Sequence, residues 1–188
     1  MSVLSFVLPI IIILVLLAVA ISIILFFIGE IIAEFTTDAP FVPVPKEIVG
    51  DIVDILELEE DSCLYDLGCG DGRVLFSAVK KYPSIRAVGV DIAFEPYFIA
   101  KFRARNFKNV KIKREDIFKT DMHDATHIFL YLYPQVISNL ILNIKKQCKS
   151  GTRIVTCDFE IKENKPVKIV ALNKSSSVRG KKLFVYIV

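Results

Sequence analysis

Two acids and a run of alternate glycines are the residues in this chain whose spacing could do chemistry. Asp66-Leu67-Gly68-Cys69-Gly70-Asp71-Gly72 follows the apolar run Cys63-Leu64-Tyr65, and a further acid, Asp91, stands 25 residues after Asp66. Glycines at alternate positions let a backbone turn sharply and approach a ligand where a Cβ would collide. A dinucleotide-binding turn instead spaces its glycines G-x-G-x-x-G, so that a helix N-terminus meets a pyrophosphate. The spacing here favours a nucleoside without a phosphate. S-adenosylmethionine is such a compound, and the ammonium at its methionine end suits a carboxylate such as Asp66 beside the turn.

Glycine clusters also punctuate ordinary loops, so the flanking elements matter. Residues 73–81 carry Val74, Leu75, Ala78 and Val79 at helical spacing, and Tyr82-Pro83-Ser84 breaks that pattern. Residues 85–90 read as a second strand that delivers Asp91 to its end. An acid there can accept both ribose hydroxyls of a bound nucleoside. The plain alternative is a tight turn followed by a solvated aspartate.

The same periodicities continue along the chain. An amphipathic helix is expected over 46–58, a helix over 95–106, a third strand over 110–113 and a buried fourth strand over 126–132, ended by Tyr133-Pro134. A helix over 136–148, a fifth strand over 152–157 and an antiparallel pair over 167–172 and 183–188 complete the pattern. Alternating strands and helices imply a mostly parallel three-layer α/β sheet with helices on both faces. Ligands in such sheets bind outside the carboxyl ends of the strands. Asp66, Asp91, Asp116, Tyr133 and Asp158 all fall there.

The N-terminus is a different material. No charged side chain precedes Glu30, and residues 3–28 are almost entirely Ile, Leu, Val, Phe and Ala. That exceeds the roughly 20 residues a helix needs to cross the hydrocarbon core. Insertion is favourable by about 6–10 kcal/mol on a biological insertion scale. A cleaved signal peptide fits less well, lacking a basic n-region and having too long an apolar core. The division expected is an anchor at 1–29 contacting the lipid bilayer, a tether at 30–45 and one domain at 46–188. Lys and Arg lie only on the C-terminal side of the anchor, so the expectation is a single-pass membrane protein with its domain in the cytoplasm.

The formal charge of +3 is too small to mark a nucleic-acid protein. One stretch, 101–119, is locally basic, and reads either as a solvated face or as an RNA- or lipid-facing patch. Cys63, Cys69, Cys148 and Cys157 show no C-x-x-C pairing and no adjacent histidines, so neither zinc nor a disulfide framework is expected.

Tyr65 to Arg73, Gly89-Val90-Asp91, Glu115-Asp116-Ile117-Phe118 and Asp158-Phe159, preceded by Val42-Pro43-Val44-Pro45, occur in an order that resembles the class I S-adenosylmethionine-dependent methyltransferases. Over about 41–159 the pattern is similar to the small protein-lysine methyltransferases of archaea and their mitochondrial relatives, which also carry an N-terminal hydrophobic anchor. The resemblance implies a Rossmann-like fold of seven strands and methyl transfer to lysine side chains of a membrane or membrane-proximal protein. It implies that Asp66, Gly68, Gly70 and Gly72 shape the methionine pocket, that Asp91 holds the ribose and that Asp116 faces the adenine amino group. An Asx-type turn is the competing role for Asp116.

After the fourth strand, many amino-methylating relatives carry Asn/Asp-Pro-Pro-aromatic. This chain has Leu130-Tyr131-Leu132-Tyr133-Pro134 instead. Tyr133, and less so Tyr131, are candidates to line a lysine channel. Alternate strand residues face opposite ways, so core packing is the competing role for one of them. Asp158 is a candidate orienting acid. Other acceptors (a lipid, a small molecule or RNA) and a non-catalytic cofactor-binding module stay open.

Overall fold

The computed structural model describes residues 4–36, 42–162, 164–173 and 178–188. The chain forms two compact units, Met1–Pro40 and Phe41–Val188. The first is a single helix, α1 (Leu4–Thr36), with Pro9 inside it. Its segment Leu8–Gly29 is 22 residues long, has a mean hydropathy of 3.5 and buries nothing. That is long and apolar enough to cross a membrane, and a signal sequence has the same properties. The helix runs beyond residue 29 to Thr36, so residues 30–36 of the expected tether are helical; nothing in that stretch breaks a helix before Pro40. Residues 37–41 of the tether lie outside the described residues.

The second unit opens with a single 3-10 turn at Lys46–Ile48 and α2 (Val49–Leu56), which buries Ile52, Val53, Ile55 and Leu56. The remaining elements are β1 (Cys63–Leu67), α3 (Arg73–Lys81), β2 (Arg86–Asp91), α4 (Phe94–Ala104), β3 (Val110–Arg114), β4 (His127–Leu130), α5 (Pro134–Gln147), β5 (Arg153–Cys157), β6 (Lys168–Ala171) and β7 (Lys182–Ile187). They form one seven-stranded sheet in the order β3-β2-β1-β4-β5-β7-β6. Strands β1 to β5 are parallel, and β7 is antiparallel to both β5 and β6. The chain leaves β1 toward β2 on one side and returns to pair β4 on the other. The strand order therefore reverses between β1 and β4, and ligands bind at such a switch point.

Period-two alternation sorts the strands into two cores. Leu64, Ala87, Phe129, Val155 and Val185 join residues of α2 and α3 on one face. Tyr65, Leu67, Val88, Ile128 and Ile154 join α5 on the other. Gly89 faces the first core at its most crowded point. A Cβ there would stand 2.6 Å from Leu75 Cδ1, 2.8 Å from Cys69 Sγ and 2.9 Å from Ile112 Cδ1. Overpacking of this kind costs about 1–3 kcal/mol. Gly89→Ala is therefore expected to lower Tm by several degrees in a thermal melt, a domain of this size losing about 2–4 °C per kcal/mol.

Two differences from the sequence reading bear on the site. The fourth strand, expected over 126–132, holds its ladder only from His127 to Leu130, because Leu130 pairs with Leu67, the last residue of β1 before the chain turns at Gly68. Tyr131, Leu132 and Tyr133 run free of the ladder beyond it. Helix α5 then begins at Pro134 rather than 136, since a proline at the first helical position gives up only an N–H with no partner in the helix.

Candidate active site

The glycine turn sits at the end of β1. Gly68, Gly70 and Gly72 all adopt positive φ, at 80°, 56° and 75°. An L-residue is strained in that region, which is the reason three glycines alternate there. The Gly68 and Cys69 N–H groups both donate to the Val90 carbonyl, at 2.8 and 3.0 Å, pinning the turn to the end of β2. Gly72 then caps α3 in the left-handed conformation.

Two acids flank this turn in different states. Asp91 Oδ2 accepts the Gly70 N–H at 2.8 Å and Oδ1 accepts the Ala93 N–H at 3.0 Å, so one carboxylate stitches the turn to the start of α4. Burial pushes its pKa up, and those amide hydrogen bonds oppose the rise. Asp66, by contrast, is 3 % exposed. Its carboxyl has no hydrogen-bond donor among the described residues. Burial above all, with the negative charges of Asp91 and Asp71, holds it well above the usual carboxylate range. A buried acid without a donor is costly unless a cation completes it. The residues present thus fit an S-adenosyl group: an unsatisfied anion for its ammonium, beside a turn where side chains would be strained.

Asp71 closes the far side of the turn, a role the sequence reading did not assign. Its carboxylate pairs with Arg73 Nε at 2.9 Å and with Arg103 Nη1 at 2.9 Å. Arg73 Nη1 also donates to the Val44 carbonyl at 2.5 Å, which ties the Val-Pro-Val-Pro segment to the glycine turn. Burial raises the Asp71 pKa, but the two guanidiniums outweigh it and hold the carboxyl below its ordinary value. The proximity of Asp71 and Arg73 is legible in sequence. That of Arg103, on α4, is not.

The other expected residues gather at the same end of the sheet. Asp116 lies just past β3, and its Oδ1 accepts the Phe118 N–H at 2.9 Å, the Asx-turn geometry that competed with an adenine contact. Tyr131 is half-buried against the first core; burial, then the neighbouring Cys157 and Asp158, push its phenol up to about 12. Tyr133 is exposed at the start of α5. Leu132, between them, packs on the glycine turn, since a Cβ on Gly68 would come within 2.7 Å of its Cδ2. The sequence reading assigned Leu132 no role. Asp158 requires a correction. Its Oδ2 accepts the Gly180 N–H at 2.6 Å and its Oδ1 the Lys181 and Lys182 N–H groups at 2.7 and 3.3 Å. A carboxylate committed to three amides of the loop before β7 holds that loop, and is not free to orient an incoming amine.

Neither histidine reaches the site. His127 begins β4, at the opposite end of the sheet, and His123 pairs with Asp121 on the surface.

Strand order, switch point and glycine turn with its two acids define a methyltransferase of the class I, S-adenosylmethionine-dependent kind. A model of the ANTKMT methyltransferase domain matches residues 66–168, more than half of the chain. The chain belongs to that family. It is 32% identical to a protein-lysine N-methyltransferase of Saccharolobus islandicus, over 73% of this chain and 87% of that protein. It is 26% identical to a human ATP synthase lysine N-methyltransferase over 64% of this chain, and there it spans about half of the relative, 52%. Among solved structures it is similar to an RNA methyltransferase of Salinibacter ruber bound to S-adenosylhomocysteine, at 30% identity and a TM-score of 0.71, covering 78% of this chain and 93% of that one.

Proposed function

We propose that this chain methylates lysine side chains of proteins at a membrane, in which α1 anchors it with the catalytic unit on the cytoplasmic side. The kinship with the archaeal lysine methyltransferase along nearly the whole of that protein's length carries the choice of acceptor. The pocket carries the choice of donor. Asp66 meets the ammonium of S-adenosylmethionine, the lone pairs that Asp91 keeps beyond its two amide bonds accept the ribose hydroxyls, and the second oxygen of Asp116 faces the adenine amino group. Gly68, Gly70 and Gly72 keep the cradle clear of side chains.

When bound, S-adenosylmethionine supplies a methyl group on a sulfonium, which passes to the lysine nitrogen as S-adenosylhomocysteine leaves. The protein's part is alignment, which can be worth about 7–11 kcal/mol. Leu132 sets the segment after β4 against the glycine turn, so Tyr131 and Tyr133 flank the path of the incoming side chain. The attacking amine must be neutral, and desolvation between these side chains lowers a lysine pKa toward that state. Tyr133, with its hydroxyl exposed, orients the amine; Tyr131, half-buried, walls the channel. Asp158 acts at one remove by holding the loop at 180–182.

Mass spectrometry of membrane proteins from cells with and without the chain tests this reading. A methyl-lysine that disappears with the gene, returns with the wild-type chain and fails to return with Asp91→Ala is the expected result. Unchanged lysine methylation would refute it. A second reading, RNA as acceptor, is favoured by the likeness to the Salinibacter ruber enzyme, and a methylated nucleotide lost under the same comparison would establish it instead.

A further inference from the structure

Helix α4 carries a surface that methyl transfer does not use. It packs inward through the small or compact side chains of Pro96, Ala100 and Ala104. Its outward face is not the polar one expected of a surface helix. Phe98, Ile99 and Phe102 are 58%, 41% and 60% exposed. At 100° per residue these three lie within about 100° of arc, one stripe along the solvent side. Lys101, Arg105 and Lys108 are exposed alongside it. The Arg105 guanidinium stands 5.0 Å from the Phe102 ring centre. Over residues 94–108 four basic side chains face a single acid, Glu95. Beside Phe102 a hollow of about 500 Å³, lined in part by Lys80, Arg103 and Asn106, opens between α3 and α4.

We infer that this face of α4 docks on an anionic lipid surface, with Phe98, Ile99 and Phe102 entering the headgroup boundary and Lys101, Arg105 and Lys108 meeting lipid phosphates and carboxylates. A helix that presents aromatic and aliphatic side chains on one side and Lys and Arg at its border has the pattern of interfacial helices. Contiguous exposed apolar side chains of this size mark an interaction site. The aliphatic Ile99 and the helical setting favour lipid over RNA, whose bases stack on aromatic platforms. The inference rests on residence at a membrane, which α1 would supply by connectivity. Docking on α4 would add a second contact and fix how the unit meets the bilayer.

The full chain with Phe98→Cys, nitroxide-labelled and reconstituted in nanodiscs, tests the surface; the four native cysteines are buried. In discs containing phosphatidylserine, lipid-soluble oxygen should relax the label several-fold more than a water-soluble nickel chelate does. Pure phosphatidylcholine or high salt should reverse that preference, and a control label at Lys149→Cys should stay water-accessible throughout. A Phe98→Ser/Phe102→Ser chain should keep its affinity for S-adenosylmethionine and lose the anionic-lipid effect, read on a remote label. Equal nickel access at Phe98→Cys in both lipids overturns the inference. So does protection of that label by RNA without lipid. Retention in the discs reports on α1 separately. If α1 does not insert, the surface still requires salt-sensitive flotation with phosphatidylserine vesicles, and its absence is equally decisive against it.

Discussion

Asp91→Ala is expected to raise the dissociation constant for S-adenosylmethionine about 100-fold or more. Two ribose hydroxyls lose a charged acceptor, and hydrogen bonds to a charged group contribute about 1.5–3 kcal/mol each, against about 1.4 kcal/mol per factor of ten. The substitution also strips the acceptor from the Gly70 and Ala93 amides, loosening the turn that must hold the methionine end. Asp91→Asn, which keeps one oxygen, should fall between. Titration calorimetry at fixed pH and salt measures both. A change below about threefold in protein whose circular dichroism is unaltered would show that Asp91 does not hold the nucleoside, since even one such bond is worth more.

Asp66→Asn should separate binding from stability. In the wild-type chain, burial and the nearby Asp91 and Asp71 hold the Asp66 pKa well above its usual value. A ligand ammonium needs the ionised carboxylate, so binding expels a proton, and affinity should rise with pH until the raised pKa is passed and then level off. The asparagine variant should bind about ten- to a hundredfold more weakly, as expected for one charged hydrogen-bonding contact, and its affinity should lose that pH dependence.

Stability should move the other way. A folded pKa above the unfolded value means the native state binds more protons, so the stability contribution of Asp66 is present at low pH and lost as pH rises through the folded pKa. Removing the ionisable group spares the unliganded fold that loss, and at neutral pH Tm should be equal or higher. Asp71 has the opposite sign: its pKa is lowered, so its contribution is present at neutral pH and lost as pH falls through and below the ordinary carboxylate range. Calorimetry across a pH series and thermal melts of the same samples check both parts. A flat wild-type binding profile, or a clear fall in Tm for the variant, would contradict the role given to Asp66.

Much of this was legible in the residues because it depends on local pattern. Helix α3 matches the expected 73–81 residue for residue, since a glycine that must adopt positive φ opens it and Pro83 follows its end. The β6–β7 pair was legible from two β-rich runs around a polar loop. The features that were not legible depend on contacts far apart in sequence. Where β4 stops is decided by the turn at Gly68, 62 residues before Leu130. The commitment of Asp158 arises only when β7 brings the amides of 180–182 beside it. Arg103 reaches Asp71 because α4 lies against the turn, which no spacing rule reveals. Tyr131 and Tyr133 were a pair of alternatives in the sequence. Their different burial separates them, one against the core and one at the surface.

The chemistry of the transferred methyl group tests the account most directly. Purified full-length protein, incubated with S-adenosylmethionine labelled in its methyl group and with a membrane extract, is predicted to place label in protein, and acid hydrolysis of that protein is predicted to release methyl-lysine. Label recovered only in nucleotide or lipid, or labelled protein whose hydrolysate holds no methyl-lysine, would contradict it.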